Sequence, residues 1–124
     1  RRATGHAFHI TSDEVLTWNQ ICAFLAQAAG VEPQIVHVPS DLIAAFDPEL
    51  GAGLLGDKAH SVIFDNTKIK RLVPDFAATI PFSQGAREIV AWYDADPARQ
   101  VVDEREDRLF DRIIAAVEKI RPDS

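Results

Sequence analysis

A chain of 124 residues, 47% apolar and 26% charged, has the composition of an ordinary globular domain and not that of a disordered or collagen-like chain. Its formal net charge of −6 opposes attraction to phosphate backbones, so we expect no nucleic-acid partner. The single cysteine, Cys22, forms no internal disulfide, and no apolar run approaches the ~20 residues that span a bilayer. We therefore predict a cytoplasmic protein with no membrane partner.

The first quarter of the chain predicts a strand followed by a helix. Residues 7–10 have the character of a short strand. Thr17 and Gln20 have the spacing of a capping box, and apolar residues then recur with helical spacing. We expect this helix to end at Gly30, because glycine tolerates the left-handed conformation past a helix end. Cys22 lies on the apolar stripe of this helix, so we expect it in the core with an inert thiol.

The middle of the chain predicts two more strands. Residues 34–38 form a strand candidate between prolines, and Ser40 is placed to cap a short helix after it. Residues 47–58 hold three of the six glycines and an Asp-Pro pair, which indicates a long loop. Residues 60–64 are the third strand candidate.

The remainder predicts helices. Asp65 or Asn66 caps a helix that Pro74 closes, and another helix begins near Pro81. A last amphipathic helix carries its apolar residues inward between positions 109 and 120. The order of elements predicts an α/β fold, with a small three-stranded sheet packed against about five helices.

Two patterns suggest ligands but lack the required context. Gly51, Gly53 and Gly56 match Gly-x-Gly-x-x-Gly, yet no strand leads into them and no helix is predicted after them, so we do not expect a dinucleotide there. The four histidines show no His-x-x-x-His spacing and no cysteine pair accompanies them, so we expect no metal site. No Tyr-x-x-x-Lys is present, since the only tyrosine is Tyr93.

Three segments in order carry a resemblance to a known family. They are residues 5–14, GHAFHITSDE, with LTWN at 16–19, residues 65–74, DNTKIKRLVP, and Gly85 followed by Trp92-Tyr93. Together they resemble the C-terminal part of extended short-chain dehydrogenases/reductases, the NAD-dependent epimerase/dehydratase family. The likeness covers the chain from Gly5 to Tyr93.

The resemblance implies a two-part enzyme. The family's N-terminal Rossmann domain binds NAD or NADP and supplies a Tyr-x-x-x-Lys pair. Residues 1–124 would then be a single C-terminal substrate-binding domain that binds no cofactor itself, has no catalytic residue and is inactive alone. The missing initiating Met fits a chain cut from something longer. Its expected partners are the Rossmann domain and a small-molecule substrate, a sugar or related carbonyl or hydroxyl compound.

The resemblance also directs attention to residues 54–57. Many nucleotide-sugar members of the family have Arg-x-Gly-Asp there, and the arginine is expected to clamp a diphosphate. This chain has Leu54-Leu55-Gly56-Asp57, without the arginine, which favours a smaller or uncharged substrate. We expect Asp57, Lys58 and His60 to face the substrate, with residues 50–55 as an apolar lid.

Other interpretations are open for the same residues. Asp57 could cap a turn, Lys58 could be solvated, and His60 could simply begin a strand. For the whole chain, the alternatives are a stand-alone module that binds a small ligand or a protein, and a dimerisation domain that uses the last helix. The residues that precede Arg1 in the parent protein would discriminate among these interpretations.

Overall fold

The computed structural model describes residues 3–120 and is built from helices. Within these residues the chain forms six α-helices and one 3-10 helix, Pro97–Arg99, and it forms no strand. The predicted α/β fold with a three-stranded sheet is therefore wrong. The α-helices are α1 Trp18–Ala29, α2 Ser40–Phe46, α3 Pro48–Leu55, α4 Thr67–Leu72, α5 Phe82–Asp94 and α6 Glu104–Ile120.

The chain divides into two compact units. Among the described residues, unit 1 comprises residues 3–33 and Val62–Asp96, and unit 2 comprises Gln34–Ser61 and residues 97–120. Each unit is therefore assembled from two stretches that are separate in the sequence.

The predicted strands lack the backbone pairing that defines a sheet. Side chains bond to the carbonyls of the first segment and its flank: Lys68 Nζ donates to Ala7 O at 2.8 Å, and Asn66 Nδ2 donates to Thr11 O at 3.2 Å. The second segment, residues 34–38, belongs to the other unit and lies between prolines that have no N–H to donate. These apolar segments have strand-like sequences, but in the described part of the chain no neighbouring backbone pairs with them.

Unit 1 is organised by α1 and α5, which pack on each other. The predicted capping box of α1 is confirmed: Gln20 N donates to Thr17 Oγ1 at 3.3 Å, and Thr17 N donates to Gln20 Oε1 at 2.8 Å. Gly30 ends the helix with a φ of 70°, as predicted. Ala86 of α5 is fully buried. The prediction that Cys22 is buried is wrong: α5 alone packs on α1 among the described helices, and Cys22 is exposed, as is Trp18 at the start of the helix.

Unit 2 contains a helix where a loop was predicted. Asp47 Oδ1 accepts hydrogen bonds from Glu49 N and Leu50 N, both at 3.0 Å, and Pro48 occupies the first turn of α3. Residues 47–58 are thus mostly helical, and the Asp-Pro pair marks a helix start. Helix α3 packs on α2, and α6 contacts α2 as well. Pro39, not Ser40, is the N-cap residue of α2.

Candidate functional site

A cleft of about 540 Å³ opens in unit 1 between residues 11–16 and residues 62–66. This volume falls within the range of roughly 300–1,000 Å³ typical of small-ligand sites. The cleft combines apolar walls with hydrogen-bonding groups. Its apolar lining is Val15, Leu16, Ile21, Val62, Ile63, Phe64 and Phe82, and its polar lining is Thr11, Ser12, Asp13, Glu14, Asp65 and Asn66.

Asp13 is the most heavily bonded carboxylate of the cleft. Lys70 Nζ lies 2.6 Å from each of its oxygens, and Asn66 Nδ2 donates to Oδ1 at 2.9 Å. The hydrogen bond from Lys70, followed by that from Asn66, lowers the pKa of Asp13 below its ordinary value of 3.8. Asp13 is therefore ionised at neutral pH and accepts hydrogen bonds.

Asn66 is the buried polar residue of the cleft, with 9% of its surface exposed. It precedes the first turn of α4, where it is the N-cap residue without a side-chain cap bond. Its amide is used elsewhere, since Nδ2 donates both to Thr11 O and to Asp13 Oδ1. Asn66 thus ties α4 to residues 11–13.

Glu14 closes the cleft on the α5 side. Pro81, the N-cap residue of α5, makes no side-chain cap bond. Glu14 Oε2 accepts instead from Phe82 N at 2.8 Å, so a carboxylate distant in sequence caps this helix. A negative charge at this position also interacts favourably with the positive end of the helix dipole.

Asp65 is the third carboxylate of the cleft. Its Oδ1 accepts from Thr67 N at 2.8 Å, and its carbonyl oxygen lies 3.3 Å from Nδ1 of His9. Hydrogen bonding to Thr67, aided by the charge of Arg71, lowers the pKa of Asp65 below its ordinary value of 3.8. The ring of His9 packs edge-on against Phe64, with centroids 5.2 Å apart.

These contacts define what the cleft can do chemically. Its three carboxylates are hydrogen-bond acceptors, and each already has a structural partner. Within residues 3–120, no group of three or more His, Cys, Asp or Glu residues is arranged to hold a metal ion. The arrangement suits a ligand that presents hydroxyl donors to the carboxylates and apolar surface to the apolar side chains of the lining.

The residues predicted to face a substrate lie elsewhere, in unit 2. Asp57, Lys58 and His60 occupy the turn that follows α3, and all three are exposed. Lys58 N donates to Gly53 O at 3.4 Å, which continues the helix end into the turn. The lid predicted at residues 50–55 is part of α3 and is not a loop. The role of Asp57, Lys58 and His60 in binding stays a prediction.

The glycine motif does not fit a nucleotide. Gly51 and Gly53 lie inside α3, and Gly56 is its C-cap residue. A pyrophosphate requires glycines in a turn that leads into a helix N-terminus, where free N–H groups point at the phosphates. Gly51 serves packing, because a Cβ at this position would overlap the side chain of Ala44.

The sequence did contain a signal for the cleft residues that were not predicted as a site. Asp13, Glu14, Asp65 and Asn66 all belong to the segments that carry the family resemblance, and the sequence assigns a further role, that of a helix cap, only to Asp65 or Asn66. Carboxylate and amide side chains at the end of one segment and the start of another indicate that these residues make hydrogen bonds. Only the folded structure shows that Asp13 pairs with Asn66.

Comparison with known proteins gives no relative: no family model, no curated protein and no solved structure matches the chain. No residue role is therefore supplied from outside the molecule. In the part of the chain that the structure describes, no helix has both the length and the apolar character needed to cross a membrane.

Proposed function

We propose that this chain is the substrate-binding portion of an NAD(P)-dependent epimerase, dehydratase or reductase of the cytoplasm. An N-terminal Rossmann domain of the same protein would bind NAD or NADP and supply the catalytic residues. The substrate would be a sugar or a related carbonyl or hydroxyl compound. The chain by itself is then inactive.

The three family-like segments contact one another in the folded chain, which is the main support for the proposal. All three belong to unit 1. Asn66 and Lys70 of the second segment bond to Asp13 of the first, and α1 packs on α5, which contains the third. Segments that resemble one family and also contact one another support a common origin more strongly than separate matches do.

The lining of the cleft supports a substrate of low charge. Asp13, Glu14 and Asp65 give the cleft a negative electrostatic field. The positive charge of Lys70 is paired with one of these carboxylates, that of Asp13. A diphosphate would be repelled there, which agrees with the missing arginine at residues 54–57. Hydroxyl groups of a sugar or polyol would instead donate to carboxylate oxygens, with Phe64 and Phe82 against the apolar side of the ring.

The first experiment determines the complete reading frame and expresses its product. We expect an upstream strand followed by Gly-x-x-Gly-x-x-Gly, a Tyr-x-x-x-Lys further on, and binding of NADH or NADPH detected by fluorescence enhancement. Residues 1–124 alone should give no enhancement. A complete product without these motifs and without nucleotide binding would overturn the proposal.

The second experiment tests the substrate contacts in the complete protein. Lys58→Ala and His60→Ala test the turn after α3, and Ser12→Ala tests the cleft. Arg87→Ala, an exposed change on α5, is the matched control. A raised KM in a turn variant supports the predicted contacts of Asp57, Lys58 and His60, whereas unchanged KM and kcat in both turn variants removes them.

A second candidate is a stand-alone module that binds a small ligand or a protein. The exposed side chains of Val62, Ile63 and Phe64, at 63%, 71% and 57%, favour it, because apolar neighbours on a surface commonly mark binding. The same reading-frame experiment separates the two candidates, since the module needs no nucleotide-binding domain.

A further inference from the structure

A smaller groove of about 260 Å³ lies in unit 1 and shares no lining residue with the cleft. We call it the basic groove, and it is lined by His6, Phe8, Lys68, Arg71 and Leu72. It contains a lysine, an arginine and a histidine but no acid, on a chain whose net charge is −6. The groove is thus a local region of opposite sign, which attracts anions.

Lys68 is held at the groove by two contacts. Its Nζ donates to Ala7 O at 2.8 Å and lies 4.9 Å above the centre of the Phe8 ring. An ammonium group has three N–H donors, so two are left for a ligand. The position of this charge is therefore fixed before any anion arrives.

Arg71 supplies the second charge. Among the described residues its guanidinium makes no hydrogen bond or ion pair, and its charge contributes to the lowered pKa of Asp65. No side chain or carbonyl within residues 3–120 occupies its five N–H donors, which suit a planar, two-point interaction. The ring of His6 packs edge-on to Phe8, with centroids 6.2 Å apart, and adds a further nitrogen to the same wall.

We propose that the basic groove binds the phosphate group of a small, water-soluble phosphate ester. A carboxylate would be satisfied by Arg71 alone, whereas a phosphate has enough oxygens for the guanidinium fork, the ammonium of Lys68 and the imidazole of His6. The half-buried ring of Phe8, which lines the groove, provides apolar contact for the organic part of the ester. This inference does not depend on the proposed function, because it concerns a different surface.

The test titrates the ¹⁵N-labelled chain with phenyl phosphate at constant ionic strength. We expect saturable amide shifts at residues 6–8 and 68–72. Arg71→Gln should raise Kd about tenfold, because it removes the two-point contact between the guanidinium and the phosphate. Arg87→Gln removes an equal charge from α5 of the same unit and should change Kd less than about twofold.

Several results would overturn the proposal. Shifts spread over the whole surface, or equal weakening by Arg71→Gln and Arg87→Gln, would show only unspecific attraction. Binding to vesicles that contain phosphatidic acid, without binding to phenyl phosphate, would assign the groove to lipid headgroups instead. The Arg71 side chain makes no hydrogen bond within residues 3–120, so its variant should fold. Lys68→Gln provides a second measurement, with an expected loss of affinity of similar size.

Discussion

The buried amide of Asn66 donates to the carboxylate of Asp13 at 2.9 Å and joins stretches of chain that lie 53 residues apart. Its other donor is used on Thr11 O, at 3.2 Å. Both hydrogens of one side chain thus hold residues 11–13 against the start of α4. This arrangement makes Asn66 the polar centre of unit 1.

Replacing Asn66 with Ala should lower the free energy of unfolding of unit 1 by about 1–3 kcal/mol, because Thr11 O and Asp13 lose a partner in a half-buried place. Both tryptophans, Trp18 and Trp92, lie in unit 1, so urea denaturation followed by tryptophan fluorescence reports on it. Gln27→Ala, an exposed change on α1, should stay within about 0.5 kcal/mol. Equal midpoints for the two variants would contradict the assigned role.

The lowered pKa values of Asp13 and Asp65 predict a loss of stability in acid. A carboxylate whose folded pKa is below its unfolded value stabilises the fold above the unfolded pKa, and this contribution disappears as pH falls through the folded pKa. The loss should therefore develop below about pH 3.8, the ordinary value for both groups.

The matched comparison uses Asp13→Asn, which cannot ionise. At pH 6 wild type should be more stable than this variant, and the difference should shrink below pH 3.8 as Asp13 in the wild type becomes protonated. Thermal unfolding at a series of pH values measures it. A difference that is constant from pH 6 to pH 2.5 would refute the ionic contribution of Asp13.

Removing the Glu14 carboxylate should weaken the start of α5. Glu14→Ala leaves Phe82 N without its acceptor and should cost about 1 kcal/mol, the usual effect of losing a helix cap. Glu14→Gln keeps an acceptor oxygen and should cost less. Amide hydrogen exchange at residues 82–85 should accelerate in Glu14→Ala but not in Glu32→Ala, which removes a charge from a residue just beyond α1.

Two glycines of the same helix should respond in opposite directions. A Cβ on Gly51 would overlap Ala44, so Gly51→Ala should force α3 away from α2. We expect it to lower the free energy of unfolding of unit 2 by about 1–3 kcal/mol. Gly53 has open space at the same point, and Gly53→Ala should stabilise α3 by about 0.5–1 kcal/mol. Hydrogen exchange of α2 and α3 measures both, and like-signed effects would contradict the packing described.

The fully buried Ala86 sets the fit between α1 and α5. Ala86→Leu should destabilise unit 1 by about 1–3 kcal/mol, because three extra carbons have no space there. Ala91→Leu adds the same atoms at an exposed position of α5 and should be nearly neutral. Tryptophan fluorescence during denaturation compares the two, and a neutral Ala86→Leu would mean that the interface tolerates larger side chains.

Local signals in the sequence predicted the helix ends well. The Thr17 and Gln20 capping box, the stop at Gly30 and the start of α5 after Pro81 are all as expected, because each depends on residues within one turn. The Asp-Pro pair at Asp47 is typical of a loop, although it also has the form of a helix start. The nearby glycines hid a helix whose close packing on Ala44 only the fold reveals.

Local sequence pattern could not show whether the strand candidates pair into a sheet. Residues 60–64 have strand-like character, but a strand also requires a neighbour whose backbone bonds to it, and that is a long-range property. The cleft was missed for the same reason. Asp13 and Asn66 each look like ordinary turn or cap residues until the fold brings them within 2.9 Å.

The interleaved order of the two units affects how the chain is made on the ribosome. Residues 3–33 are translated before Val62–Asp96, so α1 has no α5 to pack on until that later stretch is made, and the first half of unit 2 is translated in between. Unit 2 in turn is finished only when α6 has left the exit tunnel. A nascent chain halted before Asp96 would therefore have neither unit complete, and its exposed apolar helices would be targets for chaperones.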